Sequence, residues 1–458
     1  MSDILFQYEK VNPTSWAYLS SLLMLALFFK FNRVFSVRNV DLFLLISLAP
    51  GLLLVQYSYE NEGFRQAHAL EMQKLGFQWL FAVGGLLLFR LLIDPAMVRR
   101  PLLEPNLNAA GLSFLGSSLL FFLMANVVTG KPSPADLSPA VPAAQMKVEA
   151  GAGAVDTFET EGPGYWLLYL LPRISTQTVI SQSDESPPET ETEKEDQQKY
   201  VGVVTVRVVA IISQVMIVVG LVLIGSWHFD NLNAGIAAAT MYLLLPYTAK
   251  WCGSIEHCLP ASLLVWAVVL YRRPFVAGML IGLGSGTIYY QIFLLPLWCS
   301  FYWERGVKRF AAGFLLAIGV LVVTLYVTAG SPDRFLDHLR QMFGVRLPRF
   351  EHLQGIWREG FWNPVYRIPI LIAFCALAVS FTAWPSRKNL GVLISCTAAL
   401  MVGAQFWHAH GGGMYVAWYL PLLLLAIQRP NLEDRVALST VSEGWWEQRR
   451  KARVVAAS

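Results

Sequence analysis

The chain has 458 residues, 55% of them hydrophobic and only 14% charged, with a formal net charge of +4. Soluble domains carry about 25% charged residues, so a soluble fold is excluded. The apolar runs that recur from end to end instead point to an all-α polytopic membrane protein. Its partners are then membrane lipids and not nucleic acid, because Lys and Arg in such a chain report topology first.

Residues 1–129 read as N-terminal membrane helices, with spans near 14–29, 41–57, 75–93 and 109–129. The opening MSDILFQYEKVNPTSW lacks the basic start of a signal peptide, so the first apolar run is expected to be retained. Lys30, Arg33 and Arg38 place the first loop inside, and Arg99 and Arg100 do the same for the third. Arg90 and Asp94 lie one helical turn apart near a cytoplasmic end, where snorkelling accounts for Arg90.

Residues 130–200 form an external loop that is expected to be partly disordered. KPSPADLSPAVPAA begins it and SDESPPETETEKEDQQK ends it. Between them GPGYWLLYLLPRI is too short to span and reads as an interfacial helix.

Residues 201–329 supply spans near 201–226, 232–248, 258–271 and 310–329, with Arg207 a couple of turns into the first. Cys252 and Cys258 share a short loop and read as two thiols in preference to a disulfide. The remaining stretch, 275–302, is basic at both ends: Arg272 and Arg273 precede it, and Arg305, Lys308 and Arg309 follow. A single crossing cannot keep both ends in the cytoplasm. Half of the stretch makes only about 20 Å of helix, against a bilayer core of about 30 Å. A hairpin of two short or re-entrant helices, breaking near Gly284–Thr287, is therefore expected. The glycines of GLGSG follow no strand and make no phosphate loop.

Residues 330–367 form a second external loop. Ser331-Pro332 reads as an N-cap and first helical residue. Phe335, Leu336, Leu339, Met342 and Phe343 then mark one face of an amphipathic helix. Residues 368–428 hold the C-terminal spans, near 368–384, 389–406 and 412–427. Arg387 and Lys388 mark an inside loop, and Arg449, Arg450, Lys451 and Arg453 place the tail 429–458 in the cytoplasm. The count is about 11–13 membrane segments, with the N-terminus outside a cytoplasmic (inner) membrane.

Several residues have chemical potential. The 330–367 loop gathers Arg334, Arg340, Arg346, Arg349, Arg358 and Arg367 without a lysine. The guanidinium fork suits phosphate oxygens, so these arginines hold a lipid phosphate, touch headgroups, or pair with local acids. His408 and His410 precede three glycines at the mouth of a span and read as an interfacial polar turn in preference to a metal site. A carboxylate beside bound phosphate can act as general base; Asp136 and Glu256 lie nearest the outer membrane ends. Trp251, Tyr289, Tyr290 and Trp407, with His408, are expected near an aromatic-lined external cavity.

Residues 246–310 resemble the core of polyprenyl-phosphate-dependent GT-C glycosyltransferases, and among them the bacterial family 87 mannosyltransferase-like proteins. The resemblance is carried by Pro246, Gly253, Arg272, Arg273, Pro274, Ala277, Gly278, Gly282, Leu283, Pro296 and Leu297. YVAWYLPLLLLAI, with Tyr415, Trp418, Tyr419 and Pro421, is similar to that family's final helix. Ser254 stands where the family has Gln, and Ile288 and Gln291 stand where it has Lys and Pro.

The resemblance implies a GT-C-like fold, with the catalytic acid supplied by residues 130–161, where Asp136 and Asp156 are the candidates. It implies transfer of a sugar from a polyprenyl-phosphate donor to a carbohydrate, lipid or protein acceptor on the extracytoplasmic face. No cofactor is identified; a divalent cation is the one left open. A non-catalytic GT-C-like scaffold or complex subunit is the alternative, and a lipid or solute transporter the second.

Overall fold

The computed structural model describes residues 12–60, 66–97, 104–130, 132, 191–329, 332–342, 353–432 and 435–437. Among these the chain is helical, with one isolated β-bridge between Asn389 and Val436 and no named strand. The helices are α1 (Pro13–Phe28), α2 (Val37–Ile46), α3 (Leu48–Glu60), α4 (Gln66–Ile93), α5 (Ala109–Thr129), α6 (Glu191–Trp227), α7 (Leu232–Leu244) and α8 (Pro246–Trp251). They continue as α9 (Ile255–Val269), α10 (Pro274–Thr287), α11 (Leu295–Phe301), α12 (Val307–Ala329), α13 (Pro332–Met342), α14 (Arg367–Ser380), α15 (Leu390–Gln405) and α16 (Leu420–Gln428).

Among the described residues five stretches are long and apolar enough to cross a membrane: Val37–Glu60, Ala67–Ala96, Ala109–Thr129, Tyr200–Trp227 and Val307–Tyr326. Shorter apolar helices pack among them, and α7, α9 and α15 are buried along nearly their whole length. The architecture is that of an all-α multi-pass membrane protein.

Asparagine opens several helices. The side chains of Asn12, Asn108, Asn231 and Asn389 accept from Thr14, Gly111, Ala234 and Val392 N–H at 2.8–3.0 Å. Each satisfies an amide that the first turn leaves without an intrahelical partner. Asn39 donates to the carbonyls of Lys30, Arg33 and Val34 and so fixes the first basic loop.

The stretch between the two basic clusters is a hairpin. α10 has 14 residues, about 21 Å, and ends at Thr287. A 3-10 turn over Tyr289–Leu294 and the short α11 carry the chain back. The Tyr302 hydroxyl donates to the Tyr271 carbonyl, and Gly306, at φ +103°, turns beside Pro274. Arg272, Arg273 and Arg305 therefore lie at one end of the bundle. α12 then runs alongside α10 at glycine contacts: a Cβ at Gly278 would sit 2.1 Å from Phe310 O, and one at Gly313 would sit 1.9 Å from Phe275 O. Such small-residue contacts let backbones approach closely in a bilayer.

Three expectations need correction. The span near 232–248 ends at Leu244, because Leu245 is extended and Pro246 starts the separate helix α8. The last span is reduced to α16, since Gly411 and Gly413 take positive φ and a 3-10 turn occupies Val416–Trp418. Arg90 does not snorkel. It grips Asp41 with two hydrogen bonds of 2.7 and 2.9 Å and Asp94 with one of 2.9 Å. Asp94 is fully buried and also takes Arg429 at 2.5 Å and the Ser395 hydroxyl.

The amphipathic helix of the second external loop is present as α13, opened by Pro332; Ser331 lies outside the described residues. So do GPGYWLLYLLPRI, which is expected to be interfacial, and the segments around it up to residue 190.

Candidate functional site

At the end of the bundle opposite the Asp94 network, a cavity of about 510 Å³ lies between the starts and ends of several helices. Its walls come from the start of α1 (Pro13, Trp16), the end of α3 (Leu53, Gln56, Glu60) and the end of α5 (Phe122, Asn126). α6 (Val206, Arg207) and the α8 region from Pro246 to Ser254 complete them. By the charge argument these are all outer ends. Pro246, Gly253 and Ser254, positions of the stated resemblance, belong to this wall.

The buried polar side-chain atoms of the wall that lack a partner among the described residues have one sense. Arg207 donates through Nη2 to Gly130 O at 2.9 Å, while its Nε has no acceptor among the described residues. Trp16 Nε1 and Trp251 Nε1 are likewise buried without an acceptor there. Every one of these unmatched atoms is an N–H donor. Lys250 adds an ammonium 5.3 Å from the Trp251 ring centroid. The Lys250 side chain is exposed to the open cavity, yet the surrounding protein withdraws enough water to push its amine down to about 8, against the attraction of Glu60. Glu60 is exposed at the rim, and its Oε1 accepts from Gln56 Nε2 at 2.8 Å.

Behind the cavity wall lies a packed aromatic core. Trp251 stacks on His257 (ring centroids 4.4 Å apart), which stacks on Tyr415 (4.8 Å). Tyr415 meets Trp418 and His408, and His408 meets Tyr290 at 5.2 Å. Trp407 closes on Tyr290 at 5.0 Å and on Tyr289 at 6.0 Å. Two backbone features hold the core. Pro260 inside α9 has no N–H to give the Glu256 carbonyl, and Trp418 Nε1 supplies a donor at 2.9 Å. His408 Nδ1 accepts from His410 N at 2.9 Å, which leaves the ring proton on Nε2 in the neutral imidazole.

The residues singled out in the sequence fall into three groups. Asp136, Asp156, Arg346 and Arg349 lie outside the described residues, as does the side chain of Arg334. Tyr289, Tyr290 and His408 come together, as expected of an aromatic cluster, but in the packed core and not on the wall of the 510 Å³ cavity. Glu256 sits in the first turn of α9 and Arg340 is exposed on α13, and neither lines that cavity.

Two further arginines of the second external loop serve the fold. Arg358 donates to Gln73 Oε1 at 2.9 Å, and the buried Arg367 donates to Trp407 O at 3.0 and 3.2 Å. The sequence reading missed Glu60 and Lys250 as site residues. Arg207 was noticed only as a basic residue within an apolar helix, which is itself a signal of function. No family model matches the chain, and no curated protein or solved structure is significantly similar to it.

Proposed function

We propose that the protein is an integral membrane glycosyltransferase. It moves a sugar from a polyprenyl-phosphate donor to an acceptor hydroxyl on the extracytoplasmic face of a cytoplasmic membrane. The observation that carries this reading is the outer-end cavity, where the buried unmatched polar atoms are all donors and a carboxylate stands at the rim. Phosphate oxygens are acceptors only, so they complement Arg207, Lys250, Trp16 and Trp251. Charge-assisted hydrogen bonds of this kind are the strong ones.

In this reading Arg207 and Lys250 hold the donor phosphate and stabilise the charge that gathers on it as the bond from the anomeric carbon to the phosphate oxygen breaks. Glu60, oriented by Gln56, takes the proton from the acceptor hydroxyl as that oxygen bonds to the anomeric carbon. The polyprenyl phosphate leaves as the anion, and the aromatic core behind Trp251 keeps the wall rigid. The N-terminus then lies outside and the C-terminus in the cytoplasm.

The test uses the full chain in lipid nanodiscs, supplied with polyprenyl-phosphate sugars and assayed for transfer of labelled sugar to an acceptor panel. Transfer that is lost in Arg207→Ala and Glu60→Gln supports the reading. An intact protein that neither binds the donors nor transfers from them contradicts it.

A further inference from the structure

The cavity is bounded on one side by α1 and α5, and these two helices meet unusually. Both pack on α7 but share little direct contact with each other. At the inner end they are tied. Asn106, just before α5, donates through Nδ2 to Ala26 O and Phe29 O at 2.9 and 3.1 Å, and its N–H donates to Leu27 O at 2.7 Å. Lys30 Nζ reaches Asn106 Oδ1 at 3.2 Å.

At the outer end, among the described residues, a pair of rings joins them. Trp16 and Phe122 stack with centroids 5.8 Å apart and planes 14° from parallel, and both line the cavity. Outside this pair the two helices present large apolar side chains: Tyr18, Leu19 and Leu22 from α1, and Phe114 and Phe121 from α5. The two helices are thus tied at one end by a polar knot and meet at the other through stacked rings.

We propose that the seam between α1 and α5 is a lateral portal from the bilayer into the cavity, closed by the Trp16–Phe122 pair, through which the hydrocarbon chain of an anionic membrane amphiphile passes. This rests on the donor reading above. The charge pattern selects the occupant. The unmatched N–H groups and the cations of the cavity suit an acceptor-rich anionic headgroup, while the helices on either side of the seam expose large apolar and aromatic side chains. A water-soluble anion has no use for such a seam, but an amphiphile whose headgroup sits in the cavity must put its chain somewhere apolar. Stacked rings suit a closing element, since among the described residues they can part without breaking a hydrogen bond of either ring. Asn106 keeps the opposite end of the seam closed.

The test locks the seam after folding. Trp16→Cys/Phe122→Cys protein in nanodiscs is joined by a short bis-methanethiosulfonate, which forms a reducible disulfide with each thiol and releases sulfinate, with the native-cysteine protein treated identically as control. Association is then followed for a long-chain polyprenyl phosphate in the bilayer and for geranyl phosphate added from water. The expected result is that the lock slows association of the long-chain ligand by about tenfold or more. Geranyl phosphate is unaffected, and reduction of the link restores the rate. Trp16→Ala/Phe122→Ala, which removes the closing pair, is expected to speed long-chain exchange. If the lock slows neither ligand, or both equally, the portal is wrong while the donor site stands. If the unmodified protein binds neither ligand, the donor reading falls and takes the portal with it.

Discussion

At the residue scale the proposed chemistry turns on Glu60, Lys250 and Arg207 at the cavity. Glu60 is assigned the proton transfer, and loss of a positioned general base typically costs about 100- to 10,000-fold in rate. Glu60→Gln is therefore expected to abolish transfer in the nanodisc assay while leaving donor affinity within a few-fold of the native value. Equal loss of binding and turnover would assign Glu60 to binding instead.

Lys250 gives a signed pH prediction. Its amine is pushed from an ordinary value of 10.5 down to about 8, so it loses its charge as pH rises through about 8. Affinity for a phosphate ligand should fall across that range, and Lys250→Arg should remove the dependence. Stability of the ligand-free protein moves the other way. Between about 8 and 10.5 the unfolded chain binds the proton that the folded chain has given up, so this group favours folding increasingly as pH climbs. A thermal-shift series over that interval, native against Lys250→Met, isolates the contribution.

At the scale of elements, the hairpin was legible in the sequence because cytoplasmic charge is a topological constraint. Arg272, Arg273 and Arg305 had to share a side, and the chain between them was too short for two full crossings. The structure puts them at one end by turning at Thr287, beside the expected break. The arrest of the helix at Leu244 was legible in Pro246, and the long apolar window hid it. The cavity was not legible. Trp16, Glu60, Arg207 and Lys250 come from four separate helices, and each alone reads as an interfacial or snorkelling residue. The arginine-rich loop drew the eye by number, yet Arg358 and Arg367 satisfy groups of the fold. The contact of α10 with α12 is also testable. Gly278→Val places a branched side chain where even a Cβ would lie 2.1 Å from the Phe310 carbonyl. The two helices must separate, and a clear drop in the detergent unfolding temperature is expected, larger than for Gly319→Val, where nothing lies within 4 Å.

At the scale of the whole molecule, two polar centres sit at opposite ends of an apolar bundle and do different work. Among the described residues Arg90 pairs with Asp41 and Asp94 at the inner centre, and Arg429 also pairs with Asp94, so that Asp94 gathers α4, α15 and the chain after α16. Removing one partner leaves a buried charge short of its match, which costs about 3–5 kcal/mol. Asp94→Ala should therefore lower stability by that order, and Asp94→Leu/Arg429→Met should recover part of it, as a double-mutant cycle would measure. The outer centre lines an open cavity of about 510 Å³, and that difference is why the proposed function is assigned there.

The most direct measurement is a titration of the nanodisc-embedded protein with a long-chain polyprenyl phosphate, read by tryptophan fluorescence because Trp16 and Trp251 line the cavity. Native protein is compared with Arg207→Ala/Lys250→Ala. The account predicts saturable binding, weakened in the double variant by about tenfold or more, the equivalent of one lost charge-assisted hydrogen bond or greater. Saturable binding of equal strength in both proteins, or no saturable binding to the native protein, would contradict it.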